Sequence, residues 1–263
     1  MSKKWIPIEF DYKDLDKNKN KITKIIDGTN PAIIVRNFYD SELCKKAVYN
    51  AKEFVNFKGE DTTFKKIGVS LLSFITSKDD YFFQAAAVRN TLSYVFEGIE
   101  DPRKKIHHLF SEIFPNKTVS VATEGEKKYA CGIIRFHELG DFAQIHRDCV
   151  RFEGPNFYVA ELSNQLSTVL YLQQSESGGE LLIYRKIWNK SDERFREINF
   201  GYSPKVIEEC KESALIKPRQ GDLIIINPIH FHEILPVKGN KKRITLGLFV
   251  AFSKYGNNVV TWS

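Results

Sequence analysis

Cysteine is scarce in this chain, and its few cysteines are scattered. Only four occur among 263 residues, and no two of them form the C-x-x-C pair of zinc ribbons and dithiol redox sites. They are Cys44, Cys131, Cys149 and Cys210. This usage favours a reduced, cytoplasmic setting.

Long apolar runs are also missing. No run reaches the roughly 18–20 residues that a helix needs to span a bilayer. Residues 1–7 begin with a basic stretch, but the apolar segment of a secretory signal does not follow it. We therefore expect no membrane partner and no secretory signal.

A specific pattern of basic residues is absent as well, although the net charge is +6. The N-terminal region is rich in lysine, which could indicate nucleic-acid binding. However, no zinc-finger spacing, basic heptad or aromatic RNA-binding pattern accompanies the lysines. We therefore expect a lysine-rich surface and no nucleic-acid partner.

The length and apolar content predict a sizeable core. Of the 263 residues, 42% are hydrophobic, and a chain of this length buries roughly 70–75% of its unfolded surface. No internal repeat or low-complexity linker divides the chain, so we expect a single domain over residues 1–263, with about 1–120 forming mainly helical support. Expected helix starts are Asp40-Ser41, Asp79-Asp80 and Asp101-Pro102, with stops at Gly98 and Pro115.

From residue 131 onward the pattern changes to short strands. Apolar or β-branched runs at 133–136, 166–172, 181–184, 223–226 and 244–252 are separated by Gly, Pro, Asp and Asn. Strands of this kind after helices predict an α+β fold with a sandwich or barrel core over about 120–253. Residues 186–213 are polar with embedded Trp188, Phe195, Phe200 and Tyr202, which predicts either a lid-like insert or a structural surface insertion.

His146 and Asp148 are the first candidate metal ligands. They follow an apparent strand end at residues 142–145. Residues two apart in an extended chain point to the same side, so both side chains could reach one ion. The same spacing also occurs by chance in surface turns, which is the alternative.

A second histidine ligand is expected after the turn and apolar strand at residues 221–228. His230 and His232 share strand parity, so alternation cannot choose between them. We prefer His232, which directly precedes the apolar run leading to Arg243, and expect His230 to be a supporting neighbour. Two imidazoles and one carboxylate can occupy one face of Fe(II) and leave the opposite positions open.

Arg243 and Thr245 complete the pattern. Two apart on a strand, they face the same way, and a guanidinium beside a hydroxyl suits a carboxylate. Hydrogen bonds to charged groups contribute about 1.5–3 kcal/mol each, enough to select the dicarboxylate 2-oxoglutarate over a neutral keto acid. Tyr171 could line the same co-substrate pocket or be a packed core residue. A rim salt bridge is the alternative for Arg243.

The ordered set His146-x-Asp148, His232 and Arg243-x-Thr245 resembles the Fe(II)/2-oxoglutarate-dependent oxygenases. The resemblance implies a double-stranded β-helix (jelly-roll) core, an Fe(II) cofactor, and 2-oxoglutarate and O2 as co-substrates. Further segments are similar to the carrier-independent halogenases that chlorinate indole alkaloids. These segments are Asp80-Tyr81-Phe82 with Arg89, Gln165-Leu166-Ser167, residues 177–181 with Tyr184 and Trp188-Asn189, and residues 248–253.

The chain departs from that halogenase branch at Asp148, where those enzymes have glycine. The glycine leaves an iron position open for chloride, whereas a carboxylate should fill it and favour transfer of hydroxyl. We therefore expect a hydroxylase of an unactivated C–H bond in a freestanding small molecule: a specialised metabolite, or an amino-acid or nucleoside derivative. The alternatives are desaturation or cyclisation by the same iron chemistry, a peptidyl or protein hydroxylase, and a metal-bearing module without turnover, with halogenation as a minor option.

Several residues near the metal motif are candidates for substrate contact. For the aromatic ones, packing in the core is the alternative. Cys149 is expected to be a small buried side chain. His107, His108 and His137 lack partners at ligand spacing and are expected to be structural. The substrate-contact candidates are Phe142, Arg151, Phe152 and Phe157.

Overall fold

The computed structural model describes residues 4–54, 65–197, 201–253 and 255–263. Its strands are β1 (Ile8–Asp11), β2 (Ala32–Arg36), β3 (Lys65–Ile67), β4 (Thr118–Val121), β5 (Thr123–Glu124), β6 (Lys127–Lys128), β7 (Ile133–His137), β8 (Ala143–His146), β9 (Asn164–Gln173), β10 (Leu181–Ile187), β11 (Ser213–Ile216), β12 (Leu223–Ile226), β13 (His230–Ile234), β14 (Arg243–Phe252) and β15 (Asn258–Trp262). Its α-helices are α1 (Thr23–Ile26), α2 (Ser41–Ala51), α3 (Lys78–Ala87), α4 (Arg89–Val95), α5 (Pro102–Ile113) and α6 (Val150–Glu153). Shorter 3-10 helices occupy Tyr12–Lys17, Lys19–Ile22, Lys52–Phe54, Leu71–Phe74, Tyr158–Glu161, Lys190–Phe195 and Pro204–Ile207.

Two sheets face each other across the core. The major sheet runs β1-β2-β12-β9-β14-β15-β4, with β7 paired to the first half of β14 and β3 paired to β7. The minor sheet runs β11-β10-β13-β8. Side chains of both inner faces meet in one buried cluster, including Ile34 and Ile224 of the major sheet and Ile183 and Ile216 of the minor sheet. The expected α+β jelly-roll architecture is confirmed.

Alternation along β14 shows that the major sheet packs against helices on its outer face and against the minor sheet on its inner face. Leu246, Leu248 and Val250 point outward into a cluster with the apolar faces of α2, α4 and α5. The residues that alternate with these three, including Thr245 and Gly247, face inward, as the period of two requires. The whole strand is therefore buried, and the inner face is available for chemistry.

The N-terminal half is less helical than expected. The apolar run of β2 pairs with both β1 and β12, and so extends the major sheet. The expected cap of α2 is confirmed, since the Asp40 side chain accepts from two backbone amides at the start of that helix. Asp101 likewise caps α5 with Pro102 at its start. The single helix expected from Asp79 to Gly98 is instead divided at Val88 into α3 and α4.

The described part of the 186–213 segment lies on the outer face of the minor sheet. Tyr202 and Val206 pack there against Ile145 and Phe231. This packing favours a structural insertion over a lid; Phe200, also expected within this segment, lies outside the described residues. No helix among the described ranges is long and apolar enough to cross a membrane.

Candidate metal centre

Two histidines face each other on the inner side of the minor sheet. His146 on β8 and His232 on β13 are register partners, and their ring centroids lie 4.2 Å apart. Their sequence neighbours Ile145 and Phe231 point to the opposite side, into the outer cluster. Strand alternation therefore brings the two imidazoles into the interior together.

The backbone around Asp148 is held from two sides. The Asp148 amide donates to the carbonyl of Pro228 at 2.9 Å. The Gln165 side chain donates to the Asp148 carbonyl at 3.3 Å and accepts from the Val150 amide at 3.0 Å. This clamp fixes the turn that follows β8 and directs the carboxylate toward the histidines.

The carboxylate converges with both imidazoles. Oδ2 of Asp148 lies 3.9 Å from Nε2 of His146 and 3.7 Å from Nε2 of His232. One potential ligand atom from each of the three residues falls within a 4.8 Å cluster. The structure thus brings together the three residues that the sequence nominated.

Hydrogen bonds leave the correct nitrogens free for a metal. Nδ1 of His146 lies 2.6 Å from the Gln144 carbonyl, and Nδ1 of His232 lies 2.8 Å from the His230 carbonyl. Because a carbonyl oxygen only accepts, each Nδ1 is assigned the proton, and each Nε2 keeps its lone pair. This tautomer is the one required for ligation through Nε2.

The charge states also suit ligation. Burial, together with the neighbouring His232, lowers the pKa of His146 to about 4, so that imidazole is neutral at neutral pH. Burial alone would raise the pKa of Asp148, but the adjacent His232 and His146 and the nearby guanidinium of Arg135 outweigh it and lower that pKa to about 2. Two imidazoles and an ionised carboxylate fit Fe(II) of the oxygenase type, which needs such a facial set with open positions.

His230, the alternative histidine, is not part of this cluster. It is 4% exposed, and neither ring nitrogen has a hydrogen-bond partner among the described residues. Its ring instead lies 5.5 Å from that of Trp5. Nε2 of His230 would be only 3.2 Å from a Cβ placed at Gly28, so this side chain fills a tight space at the N-terminal segment.

Arg243, Thr245 and Tyr171 meet on the facing inner wall of the major sheet. Thr245 and Tyr171 are register partners across β14 and β9. Nη2 of the buried Arg243 donates to the Tyr171 hydroxyl at 2.9 Å. Nε of Arg243 is buried without a hydrogen-bond partner in the described parts of the chain. A fixed guanidinium with unused donor capacity beside a hydroxyl fits a carboxylate ligand.

His137 has a role that the sequence interpretation missed. It was expected to be merely structural, but its Nδ1 lies 3.3 Å from Nη1 of Arg243, its register partner across β7 and β14. Burial, Arg243 and Arg135 together lower the pKa of His137 well below its usual range, so its neutral ring can accept from the guanidinium. The alternation of Arg135 and His137 in an otherwise apolar strand was the available signal.

The four candidate substrate residues have different surroundings. Phe142 and Phe152 are 45% and 46% exposed, and the Phe152 ring lies 4.7 Å from that of Trp188 in a tilted arrangement. Arg151 is exposed and donates to the Leu162 carbonyl at 3.3 Å. Phe157 is instead buried.

Phe157 is better explained by packing than by substrate contact. It is 1% exposed and its ring meets those of Tyr81 and Tyr129 at 5.5 and 6.2 Å. This aromatic cluster accounts for the large buried side chain without a ligand. Cys149 is buried, as expected.

Arg147 lies between the two candidate ligands of the H-x-D motif and holds the motif in place. It is 2% exposed, and its guanidinium lies 4.2 Å from the centroid of the Trp188 ring. It forms ion pairs with Glu153 at 3.0 Å and Glu193 at 3.6 Å. The insertion therefore ties down the residue that separates His146 from Asp148.

Comparison with known proteins identifies the family. A family model described as carrier-protein-independent halogenase WelO5 matches residues 3–263. The chain belongs to this family. The WelO5-family match confirms the resemblance drawn from the motifs. One relative, leucinostatins biosynthesis cluster protein S of Purpureocillium lilacinum, is 28% identical over 209 residues, which cover 75% of this chain and 84% of the relative.

Solved structures share the fold of this WelO5-family chain. An N-substituted L-amino acid dioxygenase from Burkholderia ambifaria AMMD has a TM-score of 0.61 at 14% identity, covering 93% of this chain and 91% of that one. The epimerase SnoN from nogalamycin biosynthesis has a TM-score of 0.51 at 10% identity, covering 93% and 85%. Matched structures of these two proteins contain α-ketoglutarate, with Fe3+ in the SnoN complex. The expectation of iron and 2-oxoglutarate agrees with these comparisons.

Proposed function

We propose that this protein is an Fe(II)- and 2-oxoglutarate-dependent hydroxylase of an unactivated C–H bond in a freestanding small molecule. The observation that supports hydroxylation over halogenation is the Asp148 carboxylate, whose Oδ2 lies 3.7 and 3.9 Å from the two candidate histidine ligands. A carboxylate in that place would occupy the coordination position that a halide needs. The family name alone does not decide the outcome.

In this proposal His146, Asp148 and His232 hold the metal. Bound Fe(II), with O2 and 2-oxoglutarate, would supply the oxidising chemistry. The protein's own contribution is to present two imidazoles and one ionised carboxylate from a rigid strand pair. Two residues keep the three donors oriented. Arg147 is held by its ion pair with Glu153, and Gln165 is hydrogen-bonded to the turn that carries Asp148.

Arg243, Thr245 and Tyr171 would bind the distal carboxylate of 2-oxoglutarate. Arg243 is already oriented by Tyr171 and by the neutral His137. Such pre-organisation lowers the entropy that is lost when the ligand binds. Because Arg243 is 3% exposed, water competes little for its donors.

The relatives support a small substrate from specialised metabolism. One is named as a protein of the leucinostatins biosynthesis cluster, one is an N-substituted L-amino acid dioxygenase, and one is an epimerase of nogalamycin biosynthesis. We therefore favour an amino-acid-derived or similar specialised metabolite. Desaturation, cyclisation or epimerisation with the same residues are the competing outcomes, together with hydroxylation of a peptide or protein.

The test is product analysis after anaerobic loading with Fe(II) and 2-oxoglutarate. Candidate metabolites are screened for stimulation of succinate formation after O2 is admitted. The mass of each product is then measured by mass spectrometry. Gain of one oxygen atom supports the proposal, and loss of two hydrogens indicates desaturation or cyclisation. A chlorinated product in chloride buffer would overturn it. If neither coupled nor uncoupled succinate forms, the protein is a binding module.

A further inference from the structure

Arg135 lies on the inner wall of the major sheet beside the proposed co-substrate site. On β7 it is the register partner of Thr245 on β14, so the two side chains share a face. Its Nη1 would be 2.8 Å from a Cβ placed at Gly247. The guanidinium thus extends over the bare backbone of Gly247, in the row next to Thr245.

This guanidinium has no assigned partner. Within the described ranges it makes no hydrogen bond to another residue and has no carboxylate within ion-pair distance, in contrast to Arg243 and Arg147. Burial is the main influence on the pKa of Arg135 and lowers it, while Asp148 opposes and Arg243 reinforces that change. Its side chain nevertheless keeps partial solvent access. A half-buried guanidinium without a partner can still be reached by an anionic ligand.

A charge count around Arg135, Arg243 and Asp148 shows an excess of positive charge. Arg135 and Arg243 each contribute one positive charge, and Asp148 contributes one negative charge. Binding of Fe(II) and doubly charged 2-oxoglutarate adds two charges of each sign, so one positive charge remains. Enclosed unpaired charges are unfavourable, and a guanidinium pairs best with a planar oxyanion in a two-pronged geometry.

We propose that Arg135 binds a carboxylate group of the primary substrate, which is therefore an organic acid. This inference rests on the proposed function and narrows its substrate class. The other possible source of a carboxylate is the metal-proximal end of 2-oxoglutarate itself. The experiment separates the two sources by measuring their binding independently.

The first arm measures 2-oxoglutarate binding by calorimetry, with Mn(II) replacing iron so that no turnover occurs. Arg135→Gln should change the dissociation constant less than about threefold, whereas Arg243→Gln should weaken binding about 10- to 100-fold. Arg185→Gln, which alters an exposed arginine of β10 that is paired with Glu212, is the matched control. If Arg135→Gln weakens 2-oxoglutarate binding as strongly as Arg243→Gln, the proposal is overturned.

The second arm uses matched pairs of N-acyl amino acids and their primary amides, titrated into the Mn(II)/2-oxoglutarate protein. Wild type should bind at least one acid about tenfold or more tightly than its amide, and Arg135→Gln should bind the pair equally. Gly247→Ala is a second route, because the added methyl would displace the guanidinium without removing it. It should reduce the preference for the acid and leave 2-oxoglutarate binding intact.

Each outcome has a distinct meaning. If no acid binds better than its amide, or if Arg135→Gln keeps the wild-type preference, Arg135 does not select a substrate carboxylate. Either result leaves the proposed hydroxylase function standing, provided that wild type binds Mn(II) and 2-oxoglutarate. If wild type binds neither, the proposed function itself fails. Thermal unfolding of each variant confirms that it folds.

Discussion

Replacing Asp148 by glycine should change both the metal affinity and the halide response of the site. The carboxylate is the only charged member of the three-residue cluster, and its Oδ2 lies 3.7–3.9 Å from both candidate nitrogen donors. Asp148→Gly would leave two imidazoles and a space of about the size of the lost carboxylate. We expect this space to admit chloride, because the anion restores the missing negative charge.

The magnitude follows from the proposed role of Asp148 as a direct ligand of the metal. Changes to residues that only orient ligands typically weaken metal binding 10–100-fold. Loss of a direct, charged ligand should therefore cost at least about 100-fold, or about 2.7 kcal/mol. In chloride-free buffer the full loss of metal affinity should appear. Added chloride should restore part of that affinity in Asp148→Gly but not in Asp148→Asn. Asp148→Asn is the matched control, since it removes the charge but keeps the volume.

The assay is titration with Mn(II), followed by electron paramagnetic resonance of the free ion, in acetate and in chloride buffers. The products formed from an accepted substrate are then analysed by mass spectrometry, and Asp148→Gly is expected to yield less oxygenated product than wild type. Unchanged metal affinity of Asp148→Gly in acetate would show that Asp148 is not a ligand, and would remove the main reason for preferring hydroxylation. Equal chloride effects on the glycine and asparagine variants would refute the space-filling argument.

Three other predictions concern the surroundings of the cluster. Tyr171→Phe removes the 2.9 Å hydrogen bond from Arg243 and should weaken calorimetric 2-oxoglutarate binding about tenfold; an unchanged constant would place the co-substrate elsewhere. His230→Leu should keep metal binding but raise the unfolding free energy at pH 5 by roughly 2 kcal/mol, because burial lowers the pKa of His230 to about 4 while the unfolded value is near 6.5. The native penalty grows as the pH falls from 6.5 to 4, so urea titrations at pH 8 should show no such gain. Arg147→Met should destabilise the protein by about 3 kcal/mol, since it breaks a buried ion pair with Glu153, and an unaltered urea midpoint would contradict this.

Much of the fold could be predicted because local signals agree with the tertiary structure. The caps at Asp40 and Asp101 mark the starts of their helices, and the expected strand at 223–226 has the observed bounds. Local signals failed where pairing partners are distant in sequence. Strand β2 pairs with β12, and β15 pairs with β14 and β4, and no short-range pattern reports such contacts.

The sequence by itself was enough to nominate most of the candidate donor set. Residue type and strand parity were sufficient to nominate His146, Asp148 and Arg243, because side chains two apart on a strand must share a face. Parity could not separate His232 from His230, since both obey it. Only the β8–β13 register, which places His232 opposite His146, decided that choice.

The tertiary structure alone decided which residues surround those donors. Arg135 and His137 acquire meaning only because β7 lies beside β14, and Arg147 only because the insertion folds behind the motif. The sequence shows which chemistry a side chain can perform and, by alternation, on which face of the strand that side chain lies. Which charges then face each other depends on long-range strand pairing, and that pairing is set by the burial of the whole core.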